Sequence, residues 1–377
     1  MSGTTTESQD QTLSLIEFGK QLFTGSVVNW LLISIPVSFV LSVAGAPDPY
    51  IFGAAAISLI PLAALIGQAT EDVATHTTPA IGGLLNATFG NATELVVAIL
   101  ALANGLDVVV KASITGSIIG NALLVLGLSM IAGGIGRERV YFNRIAAATS
   151  AGTLLLAVTA LVMPAVFNLA VFGRLQSASP ELNQLSLLVA IVLLATYAFS
   201  LVFSLVTHRS VLISLAEVPD QPKLSVGTAI LLLAIVTLFT TYESDLLVST
   251  IEATTRSLGI TEFFVGAIVI AIVGNATEHT SAMLVARRGQ MDLAVHIATG
   301  SSTQIALFVA PTLVVISWLI AKPMSLVFNP FEIAAVSLAG IIVTVASLDG
   351  ETNWFEGVQL VAVYLILAIA FFYVPAA

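Results

Sequence analysis

Cysteine is absent from the 377 residues, which excludes a disulfide framework, a thiolate-ligated metal and thiol redox chemistry. Charge is scarce: Asp, Glu, Lys and Arg make up 9% of the chain, against about 25% in an ordinary soluble domain. Basic residues are the scarcer sign, 12 against 22 acidic for a net charge of -10, which argues against a nucleic-acid partner. The first 26 residues have no basic region ahead of a short apolar core and no Arg-rich amphipathic pattern, so no cleavable signal or transit peptide is expected. Neither H-E-x-x-H nor G-x-S-x-G occurs; no enzyme activity and no cofactor are expected.

What the chain has in quantity is apolar sequence, 57% of its residues, in runs of about 20 that recur along its whole length, each long enough to cross a hydrocarbon core of about 30 Å. This is the composition of a polytopic membrane protein. Cut at charged and Gly/Pro/Asn-rich punctuation, the runs give eleven spans near 27–46, 50–70, 79–104, 107–132, 144–172, 182–207, 225–249, 261–288, 291–320, 330–348 and 355–376. Lipid-facing backbone must satisfy its own hydrogen bonds and no alternating barrel pattern appears, so the fold class is all-α. Lys20, Arg137, Arg139, Arg144, Arg209, Lys223, Arg287 and Arg288 fall on the N-terminal side of the membrane, whereas Lys111, Arg174, Arg256 and Lys322 fall on the other. The excess puts the N-terminus in the cytoplasm and the C-terminus outside.

The sequence repeats itself. Gly90-Asn91-Ala92-Thr93-Glu94 recurs as Gly274-Asn275-Ala276-Thr277-Glu278, and Gly116-Ser117 recurs as Gly300-Ser301, both at an offset of 184 residues. Two matches at one spacing argue a duplication, spans two to six and seven to eleven. Five crossings per half is odd, so the halves insert with opposite orientation, the inverted repeat of secondary transporters whose site forms near the midplane. The expected organisation is a tail and peripheral span over 1–49, a first repeat over 50–207, a cytoplasmic linker over 208–224 and a second repeat over 225–377.

The repeated letters carry the chemistry. A carboxylate deep in a span costs on the order of 2.5–3.5 kcal/mol on insertion scales and is a functional candidate by default. Asn91 and Glu94 share one helix face, as do Asn275 and Glu278. Joined across the repeat axis they offer two carboxylates, two amide carbonyls and the Thr93 and Thr277 hydroxyls, oxygen donors without sulfur. Gly90 and Gly274 permit local unwinding that frees further carbonyls. Such a set suits calcium, which takes six to eight oxygens in irregular geometry, better than magnesium or a soft transition metal. Without a cation, two desolvated, mutually repelling carboxylates bind protons, and a cation displaces them. A carrier that reorients only when filled by one or the other is an antiporter. Ser117 and Asn121 with Ser113 on span four, Ser301 and Gln304 on span nine, and His279 beside Glu278 complete the expected pathway.

Other polar positions have plainer readings. The N-A-T triplets at Asn86, Asn91 and Asn275 lie within spans and are discounted as glycosylation acceptors. Ser113 and Thr115 bond their own helix backbone. Glu71 and Asp72 read as a solvated helix end, and Glu243, Asp245, Glu252 and Glu262 as solvated acids around the outer loop after span seven.

GGLLNATFGNATELVVAILAL from Gly82, GNATEHTSAML from Gly274 and GSSTQIALFVAP from Gly300 resemble the calcium/proton exchanger (CAX) family of the calcium/cation antiporter superfamily. The resemblance implies an eleven-span architecture with a cytoplasmic N-terminus, calcium ions and protons as exchanged substrates at Glu94 and Glu278, assistance from Asn91 and Asn275, and a pathway lined by His279, Ser301 and Gln304. Sodium/calcium exchangers of that superfamily carry a polar or acidic residue four after the serine in both repeats; here the positions hold Asn121 and Ile305. That departure favours proton over sodium coupling. The short tail and mixed-charge linker point to a prokaryotic plasma membrane. A sodium-driven calcium exchanger is the alternative, and a passive cation channel a more distant one.

Overall fold

A computed structural model describes residues 27–173, 179–207 and 224–375; the expected linker lies almost wholly outside them. Helix α1 begins as a 3-10 turn, Val27–Ile33, and continues as Ser34–Val43. Helix α2, Asp48–Thr75, contains Pro61, and the missing N–H is tolerated in a span because neighbouring groups satisfy the freed carbonyl. The expected third span is two helices, α3 (Pro79–Phe89) and α4 (Ala92–Ala103). Helix α5, Asp107–Gly134, is the most enclosed of the long helices and carries a π-helical turn at Gly120–Val125. Strand β1 is Val140–Tyr141. Helices α6 (Arg144–Phe172) and α7 (Pro180–Thr207) follow.

Past the linker come α8 (Val226–Ser249), the short amphipathic α9 (Ile251–Leu258), α10 (Glu262–Gly274) and α11 (Ala276–Arg287). The expected eighth span is thus also broken. Helix α12, Met291–Leu319, has its π-helical turn at Ile305–Val309. Helix α13 is Pro330–Ala346, β2 is Glu351–Thr352 and α14 is Trp354–Phe372. Helices α4 and α11 start 184 residues apart, as do α5 and α12, so the sequence offset is also an offset of helix boundaries.

Among the described residues seven helices are long and apolar enough to cross a membrane: α2, α5, α6, α7, α8, α12 and α14. An eighth arises if α9 and α10, bent by 114°, count as one broken span. Helices α1, α4 and α13 are apolar but shorter. The expected third and eighth spans are interrupted at Asn91 and Asn275. Strands β1 and β2 pair antiparallel, Val140 opposite Thr352 and Tyr141 opposite Glu351, with Arg139 Nη1 and Glu351 Oε1 2.7 Å apart beside them. The loops after α5 and α13 therefore meet at one end of the helix bundle.

The core sits around α5. A Cβ on Gly116 would stand 1.9 Å from the Ala267 carbonyl oxygen, and one on Gly266 2.6 Å from that of Val109. Only hydrogen at both positions lets α5 and α10 meet backbone to backbone. Across the offset the packing differs: a Cβ on Gly300 of α12 would meet nothing within 4 Å, while Gly83 of α3 lies against the Leu205 side chain of α7. The α10 half is sealed on α5, and the corresponding face of α12 is open.

Candidate functional site

The two helix breaks create the site. Asn91 has φ −102° and ψ 18°, Asn275 has φ −96° and ψ 14°; both lie off the helical basin at the same point of the repeat. Each is the N-cap of the helix that follows, yet neither side chain caps it. The amides are turned inward instead. Glu94 and Glu278 consequently occupy the first turns of α4 and α11, where exposed N–H groups and the helix dipole favour negative charge.

Glu94 is buried and neither of its carboxylate oxygens accepts a hydrogen bond from another residue. It rests on the break of the opposite half: a Cβ on Gly274 would stand 3.1 Å from Glu94 Cγ and 3.3 Å from Oε1. Gly274 thus makes room for the carboxylate, a role more specific than the unwinding expected of it. Gly90 has no such relation; a Cβ there would meet the Asn86 carbonyl of its own helix at 2.6 Å. Glu278 lies within electrostatic reach of Glu94, and its Oε2 is likewise buried without a partner. Among the described residues no Lys or Arg pairs with either glutamate.

An amide network holds the rest. Asn91 Nδ2 donates to Gln304 Oε1 at 2.8 Å. Asn275 Nδ2 donates to Ser117 Oγ at 2.9 Å and to the Ala271 carbonyl at 2.9 Å. Asn121 Nδ2 donates to Asn275 Oδ1 at 2.7 Å and to Ser301 Oγ at 3.0 Å. The expected pathway residues Ser117, Asn121, Ser301 and Gln304 therefore converge on the two asparagines, from the stretches of α5 and α12 at or beside their π turns. π turns re-aim side chains and recur at functional sites. Ile305 lacks the amide that Asn121 supplies in the first half, and Gln304, one residue earlier, serves Asn91 in its place.

Thr93 and His279 are buried, and His279 Nε2 and Thr277 Oγ1 are buried without partners. The unspent oxygens at and beside the two breaks, both of Glu94, Oε2 of Glu278, Oδ1 of Asn121 and Oγ1 of Thr277, are hard, sulfur-free donors. A set of this chemistry replaces the hydration of calcium better than that of a soft metal.

Three sequence expectations fail. Thr115 does not bond its own backbone: its Oγ1 donates to Glu332 Oε1 at 3.3 Å. Glu332 itself was not expected; it is buried in α13, closes a capping box with Asn329, and shares its surroundings with Lys111, whose Nζ donates to Ser325 Oγ and the Val327 carbonyl. Its signal was present as N-P-F-E ahead of an apolar run. Asp72, read with Glu71 as solvated, is buried while Glu71 is exposed. Glu243, read as a solvated acid, has no exposed surface; its place six residues inside an apolar helix was the sign. Ser113 follows expectation and donates to the Val110 carbonyl.

A family model described as sodium/calcium exchanger protein matches residues 48–206 and 228–373. The chain is 44% identical over 364 residues to a Ca(2+)/H(+) antiporter of Synechocystis sp., covering 92% of this chain and 96% of the relative. It is 41% identical over 343 residues to the Ca(2+)/H(+) antiporter ChaA of Bacillus subtilis, covering 90% and 96%. Among solved structures it is similar to native YfkE, with a TM-score of 0.80 and 37% identity over 92% of this chain and 100% of that one.

Proposed function

The chain belongs to the sodium/calcium exchanger protein family, and from that premise we propose that it is a secondary antiporter exchanging calcium ions for protons across a membrane by alternating access. The observation that carries the reading is the pair Glu94 and Glu278: a buried carboxylate and a half-buried one whose Oε2 is enclosed, at two matched helix breaks, with no Lys or Arg paired to either among the described residues. Such charges persist in an apolar interior only when a cation or protons neutralise them. Calcium and protons then compete for the same oxygens, which is the condition for exchange. The names of the relatives in Synechocystis and Bacillus subtilis are those of calcium/proton antiporters.

In this reading Glu94, Glu278, Asn91 and Asn275, with backbone at Gly90 and Gly274, hold calcium, while Thr93, Thr277, His279, Ser117, Asn121, Ser301 and Gln304 line its path. The architecture is eleven crossings, α1 peripheral and two inverted five-crossing repeats, each with one broken crossing (α3–α4 and α10–α11). The pairing of β1 with β2 supports this topology, because an even number of crossings separates them in it. The closed α5–α10 contact and the open face at Gly300 make this an asymmetric state, open on the side where α3 and α12 begin. With the N-terminus in the cytoplasm, by the excess of Lys and Arg on that side, the opening faces the cytoplasm. A bacterial plasma membrane is the proposed location.

Everted vesicles acidified inside are expected to accumulate calcium, and Glu94→Gln or Glu278→Gln to abolish uptake. Uptake that survives either change overturns the reading. Uptake that needs a sodium gradient and persists when the pH gradient is collapsed assigns sodium coupling, and flux without any countertransported ion assigns a channel.

A further inference from the structure

Glu243 belongs to neither helix break. It lies in α8, six residues before the helix end, with no exposed surface. Around it stand hydroxyls of three helices: Ser34 and Ser38 of α1, Ser58 of α2, and Thr240 and Ser244 of α8 itself. Ser38 Oγ is 2.7 Å from Glu243 Oε1. Glu243 Oε2, Thr240 Oγ1 and Ser244 Oγ are buried without partners.

Hydrogens are scarce around the carboxyl. Ser38 Oγ is also 2.7 Å from the Ile35 carbonyl, an atom that can only accept. Ser58 Oγ is 2.8 Å from the Ala54 carbonyl and 2.8 Å from Ser34 Oγ, and Ser34 Oγ is bonded to the Leu31 carbonyl. Each hydroxyl brings one hydrogen, so three hydroxyls have three hydrogens for five oxygen–oxygen contacts. The three carbonyls consume all of them, with Ser58 sharing its hydrogen between Ala54 and Ser34. Ser38 divides its hydrogen in the same way between the Ile35 carbonyl and Glu243 Oε1, and Ser58 also reaches the carboxyl, so the hydroxyls offer it only shared hydrogens.

Among the described residues no cation answers the charge; on α4, which also packs on α8, the titratable group is Glu94. Helix α1 has no titratable side chain between Val27 and Val43. On α2 the acidic and phenolic groups are Asp48, Tyr50, Glu71 and Asp72, toward its two ends. On α8, Tyr242 turns to Ser42 and packs on Phe39 with ring centroids 6.3 Å apart, and Asp245 is exposed. On α9, which packs on α2, Glu252 and Arg256 pair with each other at 3.3 Å. A lone carboxylate ringed by neutral hydroxyls is too poor in charge to hold a divalent cation, and an unneutralised one is expensive at this depth.

We propose that Glu243 is a proton-binding site, separate from the Glu94 and Glu278 pair, formed by α1, α2 and α8. The proton binds the carboxyl, and the hydrogen bond from Ser38 Oγ to Oε1 fastens the peripheral helix α1 to α8. Binding adds one proton to one carboxylate and requires no other species.

The test uses infrared spectra of the full chain in lipid with saturating calcium, so that it reads no transport and is independent of the antiport reading. The wild type is expected to carry the carbonyl stretch of a protonated carboxyl that Glu243→Gln loses. The amide of the variant still offers Ser38 an oxygen to donate to, so the fold is retained. Ser38→Ala is expected to keep the band and move it to higher frequency, since its hydrogen-bond donor is gone. A spectrum unchanged in Glu243→Gln, or one that loses an ionised carboxylate stretch in its place, overturns the proposal. So does one fewer calcium bound per chain, which makes Glu243 a cation ligand. Should Glu243→Gln fail to fold, an unshifted band in Ser38→Ala overturns it alone.

Discussion

Glu94 of one half lies on the backbone of Gly274 in the other, 3.1 Å from its Cγ to the point where a Cβ would stand and 3.3 Å from its Oε1. The carboxylate is therefore positioned by a missing side chain. Gly274→Ala forces the glutamate to yield by a few tenths of an ångström. That displacement acts on the ligand itself and not on the fold. Calcium affinity is expected to fall about ten-fold, about 1.4 kcal/mol, with the melting temperature close to wild type. Calcium titration of the purified variant beside a thermal melt measures both, and unchanged affinity removes Gly274 from the site.

Asn121 is the keystone of the amide network, since its Nδ2 serves both Asn275 Oδ1 and Ser301 Oγ. Asn121→Ala leaves a buried amide oxygen and a buried hydroxyl without their donor, and each such loss costs about 1–3 kcal/mol. Gln304→Ala removes one bond, to the Asn91 side chain, at a half-buried position. Thermal melts are expected to rank the variants wild type, Gln304→Ala, Asn121→Ala in falling stability. Equal melting temperatures would show that the network does not hold the breaks together.

Much of this site was legible in the sequence because it is duplicated. The paired Gly-Asn-Ala-Thr-Glu stretches marked both breaks, and the serines at the same offset marked the flanking helices. What the sequence did not give was departure from symmetry. Gln304 replaces the amide missing at Ile305 by a shift of one residue along α12, which no offset records. Asn86 carries the same triplet as Asn91 and is exposed all the same. Glu243 reads as solvated from its closeness to an acidic loop, but helix packing, not sequence distance, decides what water reaches. The breaks themselves were read as permission to unwind within one span, because hydropathy averages over an asparagine and cannot see a change of helix.

Lys111 lies between two acids, with Asp107 and Glu332 both acting on its charge, and its Nζ donates to Ser325 Oγ and the Val327 carbonyl. Lys111→Met strips those acceptors and removes the nearest positive charge from the buried Glu332. Glu332→Gln alone removes a charge but keeps a group able to meet Thr115. The double variant is expected to be less destabilised than the sum of the singles, by about 0.5–3 kcal/mol, as residues of one network are. Strict additivity in denaturation midpoints would mean that the lysine and the glutamate do not interact.

Gly116 and Gly300 occupy equivalent positions and meet opposite surroundings: a Cβ on the first would overlap the Ala267 carbonyl oxygen, and one on the second would face open space. Gly116→Ala must part α5 from α10 and is expected to impair folding outright, since backbone cannot yield as a side chain does. Gly300→Leu meets no obstacle in this state, and replacing glycine within a helix favours folding by up to about 1 kcal/mol. Its melting temperature is therefore expected to equal or exceed that of the wild type. If the carrier alternates by closing α3 on α12 as α10 now closes on α5, the same leucine blocks the partner state. Gly300→Leu is expected to bind calcium normally in detergent and to exchange none in vesicles. Full exchange by a folded Gly300→Leu protein would mean that α3 and α12 never come as close as α10 and α5, and that alternation does not interchange the two contacts.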